Sequence, residues 1–254
     1  RRRHTRCSRD WSSDVCSSDL MQIRHAVVHQ RPEGLLSDYA AVAAADPLTA
    51  AFIAAPRPVR GGAVTLLYPK WIPGKHWGAG RIDSLAGLIV TANGKRLEWV
   101  RDPVDVFAFH VNTPAGTSAL DVEFQFLTSA TGNEDRVVMT PEMMNVQWFS
   151  LSLYPAGYFT RDIPITASIT LPEGWKYATA LETASTSGAT ATFKTVPYET
   201  LLDSPMDAGL YSKVIDLEAP GPAPVRLDVF ADRPELLEAK PEHVAALKAL
   251  VQQA

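Results

Sequence analysis

The sequence predicts a mainly β protein: an antiparallel β-sandwich or curved sheet, followed by a short C-terminal helical segment. Short apolar runs with a period of two recur between residues 63 and 230. Proline and glycine clusters separate them, as at Pro155-Ala156-Gly157, Pro172-Glu173-Gly174 and Pro220-Gly221-Pro222. After residue 232 the apolar spacing changes to that of a helix.

The first run covers residues 63–68. Residues 85–92 and 95–99 flank Asn93-Gly94, and both central residues of a type I′ turn need positive φ, so this dipeptide predicts a hairpin. A short strand follows at 106–111. Residues 120–127 alternate strictly, with Leu120, Val122, Phe124 and Phe126 on one face and Asp121, Glu123 and Gln125 on the other. Residues 146–154 read as a strand with Phe149, Leu151 and Leu153 inward and Ser150 and Ser152 outward. Ile163, Ile165, Ala167, Ile169 and Leu171 alternate again. Runs at 190–196, 210–217 and 225–230 complete the series. Pro234 and Pro241 are each placed to start a helix, and Val244, Leu247, Leu250 and Val251 then share one helical face.

Four segments emerge. Residues 1–20 are rich in Arg, Ser and Asp, have no apolar period, and resemble the translated read-through of a sequencing-library adapter, so they stand outside the fold. Residues 21–60 mix Ala runs with Pro47, Pro56 and Pro58 and show no clean period; a shifted reading frame and natural divergence both account for this. Residues 61–232 form the β-domain, and residues 233–254 begin a helical unit.

The 254 residues carry a net charge of −4, which argues against the basic face that nucleic acid needs. No run approaches the ~18 apolar residues of a membrane span. The composition, 46% hydrophobic and 20% charged, is that of a soluble globular protein, cytoplasmic or periplasmic and secreted alike. Both cysteines, Cys7 and Cys16, lie in the excluded segment, so the rest has neither thiol chemistry nor a disulfide.

Chemistry is sparse. His25 and His29 have the i, i+4 spacing of a zinc helix, but Ala26 stands where the general base belongs and no third ligand follows, so no metal site is expected. His110 in an alternating strand reads as structural, and His76 as a surface contact in a glycine-rich loop. Asp102 and Asp105 flank Pro103 as ordinary turn residues. No nucleophile–base–orienter set can be assembled, so no catalytic residue is assigned. Glu142, Asn145 and Gln147 are polar groups around the start of a strand, a candidate binding rim or a solvated edge.

Several stretches resemble the N-terminal domain of the glycyl aminopeptidase family, metallopeptidase family sixty-one of the thermolysin-like clan. They are LLYPKWIPGKH (66–76), IDSLAGL (82–88), WVRDPVDVFAFH (99–110), VVMTPEMMNVQWFSLSLYPAGYF (137–159), ALETAS (180–185) and LLDSPMDAGLY (201–211), in the family's order. The resemblance covers about residues 63–254; the segment 21–60 departs from it. It implies a parent zinc aminopeptidase whose catalytic domain, with H-E-x-x-H, would begin at the C-terminal helix. It implies that this fragment holds no cofactor, that zinc belongs to the full-length parent, and that peptide substrate is met through the missing catalytic domain. In related clan members the β-domain covers the cleft and touches the substrate's N-terminus, which makes Glu142, Asn145 and Gln147 the candidate substrate-binding residues. The alternative is a stand-alone β-sandwich that binds peptides or carbohydrates on Trp71, Trp77, Trp99, Trp148 or Trp175.

Overall fold

The computed structural model describes residues 22–31, 48–54, 62–117, 119–129, 139–221 and 223–253. The segment 1–20 lies outside them. In chain order the strands are β1 (Gln22–Arg31), β2 (Leu48–Ala54), β3 (Gly62–Leu67), β4 (Leu85–Ala92), β5 (Lys95–Leu97), β6 (Trp99–Arg101), β7 (Ala108–Thr113), β8 (Asp121–Ser129) and β9 (Met143–Val146). Next come β10 (Tyr154–Pro155), β11 (Pro164–Thr170), β12 (Lys176–Thr179), β13 (Thr183–Ser187), β14 (Thr190–Phe193) and β15 (Val196–Pro197). The short helix α1 (Tyr198–Leu202) precedes β16 (Met206–Gly209), β17 (Tyr211–Asp216) and β18 (Arg226–Ala231), and α2 (Pro241–Gln253) comes last.

The strands form four sheets among the described residues. The largest runs β13-β14-β11-β2-β1-β8-β4-β5, with β15 also on β11, and remains open at both edges. A second sheet runs β10-β3-β7-β6, a third β12-β16-β9, and a fourth pairs β17 with β18. Pairing is antiparallel throughout except between β1 and β8, which run parallel. The mainly β, predominantly antiparallel class with a C-terminal helix is therefore the observed one.

The alternating patterns find their predicted places. Leu120, Val122, Phe124 and Phe126 of the β8 segment are all buried, as are Ile163, Ile165, Ala167, Ile169 and Leu171 along β11. Leu66, Tyr68, Phe109 and Val111 of the second sheet join them in one apolar cluster, so the two sheets share a core. Trp99 meets Phe109 edge-on at 5.3 Å. Asn93 and Gly94 have φ of 50° and 74°, and Ala92 pairs with Lys95, which is the predicted hairpin. The predicted strand 95–99 divides at Glu98: β5 stays with β4, while β6 crosses to β7 in the second sheet.

One open segment gains an assignment and one expectation is corrected. Residues 21–60, which show no clean period, contain β1 and β2, and these link β8 to β11 through the middle of the large sheet. Residues 146–154 are not one strand. β9 ends at Val146, a single 3-10 turn covers Trp148–Leu151, and Ser150 and Ser152 are buried rather than outward. Alternation of Ser with Leu imitates a half-exposed strand, but the serines lie among buried hydroxyls. The Ser152 hydroxyl donates to the Trp148 carbonyl at 2.8 Å and lies 2.8 Å from the Tyr198 hydroxyl, while Tyr68 donates to the Ser150 carbonyl at 3.1 Å. Burial pushes the phenols of Tyr68 and Tyr198 well above their ordinary range.

Pro241 does start α2, but no residue of that helix is fully buried and Leu250 is exposed. Lys248 ties the helix to Glu218 at the end of the fourth sheet. No helix among the described residues is long and apolar enough to cross a membrane.

Two glycine substitutions separate strain from collision. A Cβ on Gly94 meets nothing within 4 Å, so Gly94→Ala should cost only its positive φ, about 1 kcal/mol. A Cβ on Gly80 would stand 1.9 Å from the Pro69 carbonyl oxygen, so Gly80→Ala should cost several times more and shift the backbone. Urea unfolding of the two variants checks the order; equal losses would refute it. In the core, Phe193→Ala should lose about 3–5 kcal/mol in the same assay, since the ring packs edge-on against Trp148 and Tyr177.

Candidate functional site

The three residues of the predicted rim lie on and around β9. Its buried face holds Met144 and Val146, packed with Met206 and Ala208 of β16. The opposite face carries Asn145, whose register partner is Asp207 of β16, and Asp207 pairs onward with Ala178 of β12. The Asn145 Nδ2 donates to Asp207 Oδ1 at 2.7 Å, and Gln147 Nε2 donates to Asn145 Oδ1 at 2.5 Å. Asn145 and Gln147 are thus brought together, in a chain of amide donors that ends on a carboxylate.

Their exposures differ. Gln147 is only 7% exposed and donates to the half-buried Asn145. Asn145 is half-buried and Asp207 exposed. Glu142 sits in the bend before β9. Its carbonyl accepts from Leu210 N at 2.7 Å, and its backbone lies against Gly209, where a Cβ would come within 2.9 Å of that carbonyl oxygen. Gly209 is two residues along β16 from Asp207, roughly 7 Å. The half-buried Glu142 carboxylate has no hydrogen-bond or ion-pair partner among the described residues. Trp148, next to this segment, belongs to the core and donates from Nε1 to the Ser204 carbonyl at 2.7 Å.

Asp207 is the site residue that local sequence reasoning missed. It stands in LLDSPMDAGLY, 62 residues from Asn145, and only strand pairing brings the two together.

The histidines divide. His25 and His29 lie on β1, a strand rather than a helix, where four residues span about 13 Å, too far to share an ion. His76 is exposed in the loop after β3. His110 Nδ1 lies 2.9 Å from Thr65 Oγ1, its cross-strand partner, and Nε2 lies 2.9 Å from Asp102 Oδ2. The second carboxylate oxygen of Asp102 accepts from the N–H groups of Val104 and Asp105, both at 2.8 Å, which closes the turn after Pro103. The Asp105 N–H, the His110 ring and the Val104 N–H together hold the Asp102 carboxyl at about 2. Among the described residues no group of three His, Cys, Asp or Glu could hold a metal ion.

With this arrangement in view, the comparisons place the fold. The family profile of the peptidase M61 N-terminal domain matches residues 50–210, which contain β3 to β16 and every site residue above. The chain belongs to the peptidase M61 N-terminal domain family. The match begins within β2, earlier than the resemblance read from motifs, and stops before β17. No curated protein matches this M61 N-terminal domain. Among solved structures, an aminopeptidase N family protein from Idiomarina loihiensis is similar, with a TM-score of 0.62 at 19% identity. The similarity covers 90% of this chain but 35% of that one, so the M61 N-terminal domain described here spans about a third of the length of its structural neighbour.

The Asp102 network gives a pH test. Its folded value of about 2 lies below the ordinary 3.8, so its contribution to stability is complete above 3.8 and is lost as pH falls through about 2. Urea midpoints at successively lower pH should fall less steeply in Asp102→Asn than in the parent chain, and a carboxyl-carbon NMR titration should place Asp102 near 2. A midpoint near 3.8 would refute the arrangement.

Proposed function

We propose that this β-domain is the accessory N-terminal unit of a zinc-dependent aminopeptidase resembling glycyl aminopeptidase, and that it covers the substrate cleft of a catalytic domain elsewhere in the parent. The match of residues 50–210 to the M61 N-terminal domain carries the reading. The neighbour named as an aminopeptidase N family protein, about two and a half times as long, supports a parent with further domains.

On this reading zinc and the general base belong to the parent's catalytic domain, which α2 would open. The donors of the described residues do not fit a zinc site, so no hydrolytic step is assigned to them. What they supply is binding. A substrate's α-ammonium seeks acceptors, and a carboxylate gives it charge-assisted hydrogen bonds. Glu142 offers such a carboxylate, held at its place by the Leu210 N–H on its own carbonyl. Asn145 lies along the same strand edge, fixed by Gln147 behind it. The partner is therefore a peptide with a free N-terminus.

The 254-residue chain alone should show no zinc-dependent release of p-nitroaniline from glycine p-nitroanilide; turnover that a chelator abolishes would overturn the proposal. In the parent enzyme, Glu142→Ala should lower kcat/KM for N-terminal-glycine peptides by roughly tenfold, the effect of one charge-assisted hydrogen bond. An unchanged kcat/KM would remove Glu142 from the rim.

A further inference from the structure

We infer that Asn93 is a site of covalent self-modification, at which the Asn93-Gly94 turn closes to a succinimide, releases ammonia and takes up water to give aspartate or isoaspartate. The reaction needs no partner beyond water and is independent of the rim described above.

The turn supplies what the ring closure needs. The nucleophile is the Gly94 nitrogen and the electrophile is Cγ of Asn93. Glycine puts no Cβ beside that nitrogen, and the space there is open, since a Cβ built on Gly94 would meet nothing within 4 Å. The Gly94 N–H donates to no group among the described residues, and the Asn93 side chain has no partner there. Both residues are exposed. Asn93 is held at a φ of 50°, which a residue with a side chain adopts at a cost, so opening the turn relieves strain at the reacting residue.

The strand that follows resists opening only weakly. β5 lies at the edge of the large sheet, spans Lys95–Leu97 and is paired to β4 alone. Lys95 and Arg96 are exposed, and Leu97 is the residue of the strand that packs against the core. Such an edge opens locally at a fraction of the free energy of global unfolding. The other described asparagines differ. Asn112 is exposed too, but it lies inside β7 in register with Ala63, and Thr113 places a branched Cβ beside the next nitrogen. Asn145 lies inside β9 before the branched Val146, with its amide bonded to Asp207 and Gln147.

In the first step the Gly94 nitrogen loses its proton and bonds to Cγ of Asn93. The Cγ–Nδ2 bond breaks, and Nδ2 leaves as ammonia with that proton. Water then opens the ring, and nothing is oxidised or reduced. Opening at the former side-chain carbonyl leaves aspartate at position 93 in an unaltered main chain. Opening at the former main-chain carbonyl leaves isoaspartate, with the main chain routed through Cβ and Cγ. The aspartate adds a negative charge beside Lys95 and Arg96. The isoaspartate lengthens the main chain of a turn whose length sets the hairpin register, so Ala92 and Lys95 no longer pair. The chain leaving β5 runs through Glu98 to Trp99, whose Nε1 donates to the Leu88 carbonyl at 3.0 Å. The Trp99 indole therefore reports the register of β5.

The 254-residue chain is incubated in neutral buffer and sampled over time, and trypsin digestion releases the peptide 82–95, whose asparagine is Asn93. Mass spectrometry should find the amide-to-acid gain in that peptide about tenfold faster than in the peptides that carry Asn112 and Asn145, the difference expected from a barrier lower by one decade of rate. A protease that cuts at aspartate and not at isoaspartate then sorts the products. The Trp99 indole NMR resonance should gain a second position as isoaspartate accumulates, and Asn93→Asp should show no mass gain in this peptide. Conversion of Asn93 no faster than that of Asn112 and Asn145 overturns the inference. So does an Asn93 that stays intact in the folded chain while the free synthetic peptide 82–95 converts, because the turn would then be protective. A Trp99 resonance unchanged in isoaspartate-bearing chain would overturn the loss of register.

Discussion

The indole of Trp148 sets the geometry on which the candidate site depends. Its ring packs edge-on against Phe193 of the large sheet, and its Nε1 donates to the Ser204 carbonyl inside the core. Trp148 follows β9 by two residues and Ser204 precedes β16 by two, so one buried hydrogen bond fixes where both strands begin to pair. The register that follows, Val146 on Met206 and Asn145 on Asp207, is the one that puts the amide beside the carboxylate. A shift of one residue would turn Asn145 away from Asp207 and expose Met144 and Val146 in its place. That exchange would cost about 1.5–3 kcal/mol for each apolar side chain brought to water, which is why the polar face can be held by the apolar one.

The same turn marks where the sequence stops being readable. Strands such as β8 and β11 could be read directly because each apolar residue alternates with a polar one that reaches solvent. Residues 148–153 alternate just as well, yet the polar members are serines small enough to be buried, the Ser152 hydroxyl between a carbonyl and a phenol and the Ser150 hydroxyl without a partner among the described residues. Alternation reports two environments, and here the second environment is an internal cluster of hydroxyls rather than water. β1 fails in the opposite way. It has a strand's place between β2 and β8 without a strand's period, so its pairing with both neighbours, rather than its pattern, marks it as a strand.

For the site, the local chain indicates which polar groups stand on β9 but not what they point at. Glu142, Asn145 and Gln147 are equivalent as letters. Folding separates them: Gln147 is drawn inward, Asn145 becomes the link, and Glu142 stays half-buried in the bend. The residue that completes the set comes from 62 positions away, in a segment whose neighbours Ser204 and Met206 are core residues. The sequence block around it is legible as a unit, but Asp207, one of two exposed acids within it, gains meaning only from its cross-strand partner.

The tryptophans show how the aromatic alternative stands once the fold is known. Trp148 is in the core, and Trp99 and Trp175 pack against it, so three of the five candidate platforms are occupied by the protein itself. Trp71 and Trp77 remain, 65% and 59% exposed, on one loop. That loop is firmly built. Trp71 bridges to Gly78, Gly80 N donates to the Lys70 carbonyl at 3.1 Å, and Gly80 fits under the Pro69 carbonyl where no larger residue could. Lys75 lies over the Trp77 ring at 5.3 Å, covering one of its faces with a cation. A stacking platform needs open ring faces in a row, and here one pair of indoles has one face already taken. The loop is held by its backbone with both rings left outside, and the face that Lys75 covers breaks the row of open rings that an extended chain of sugars would need.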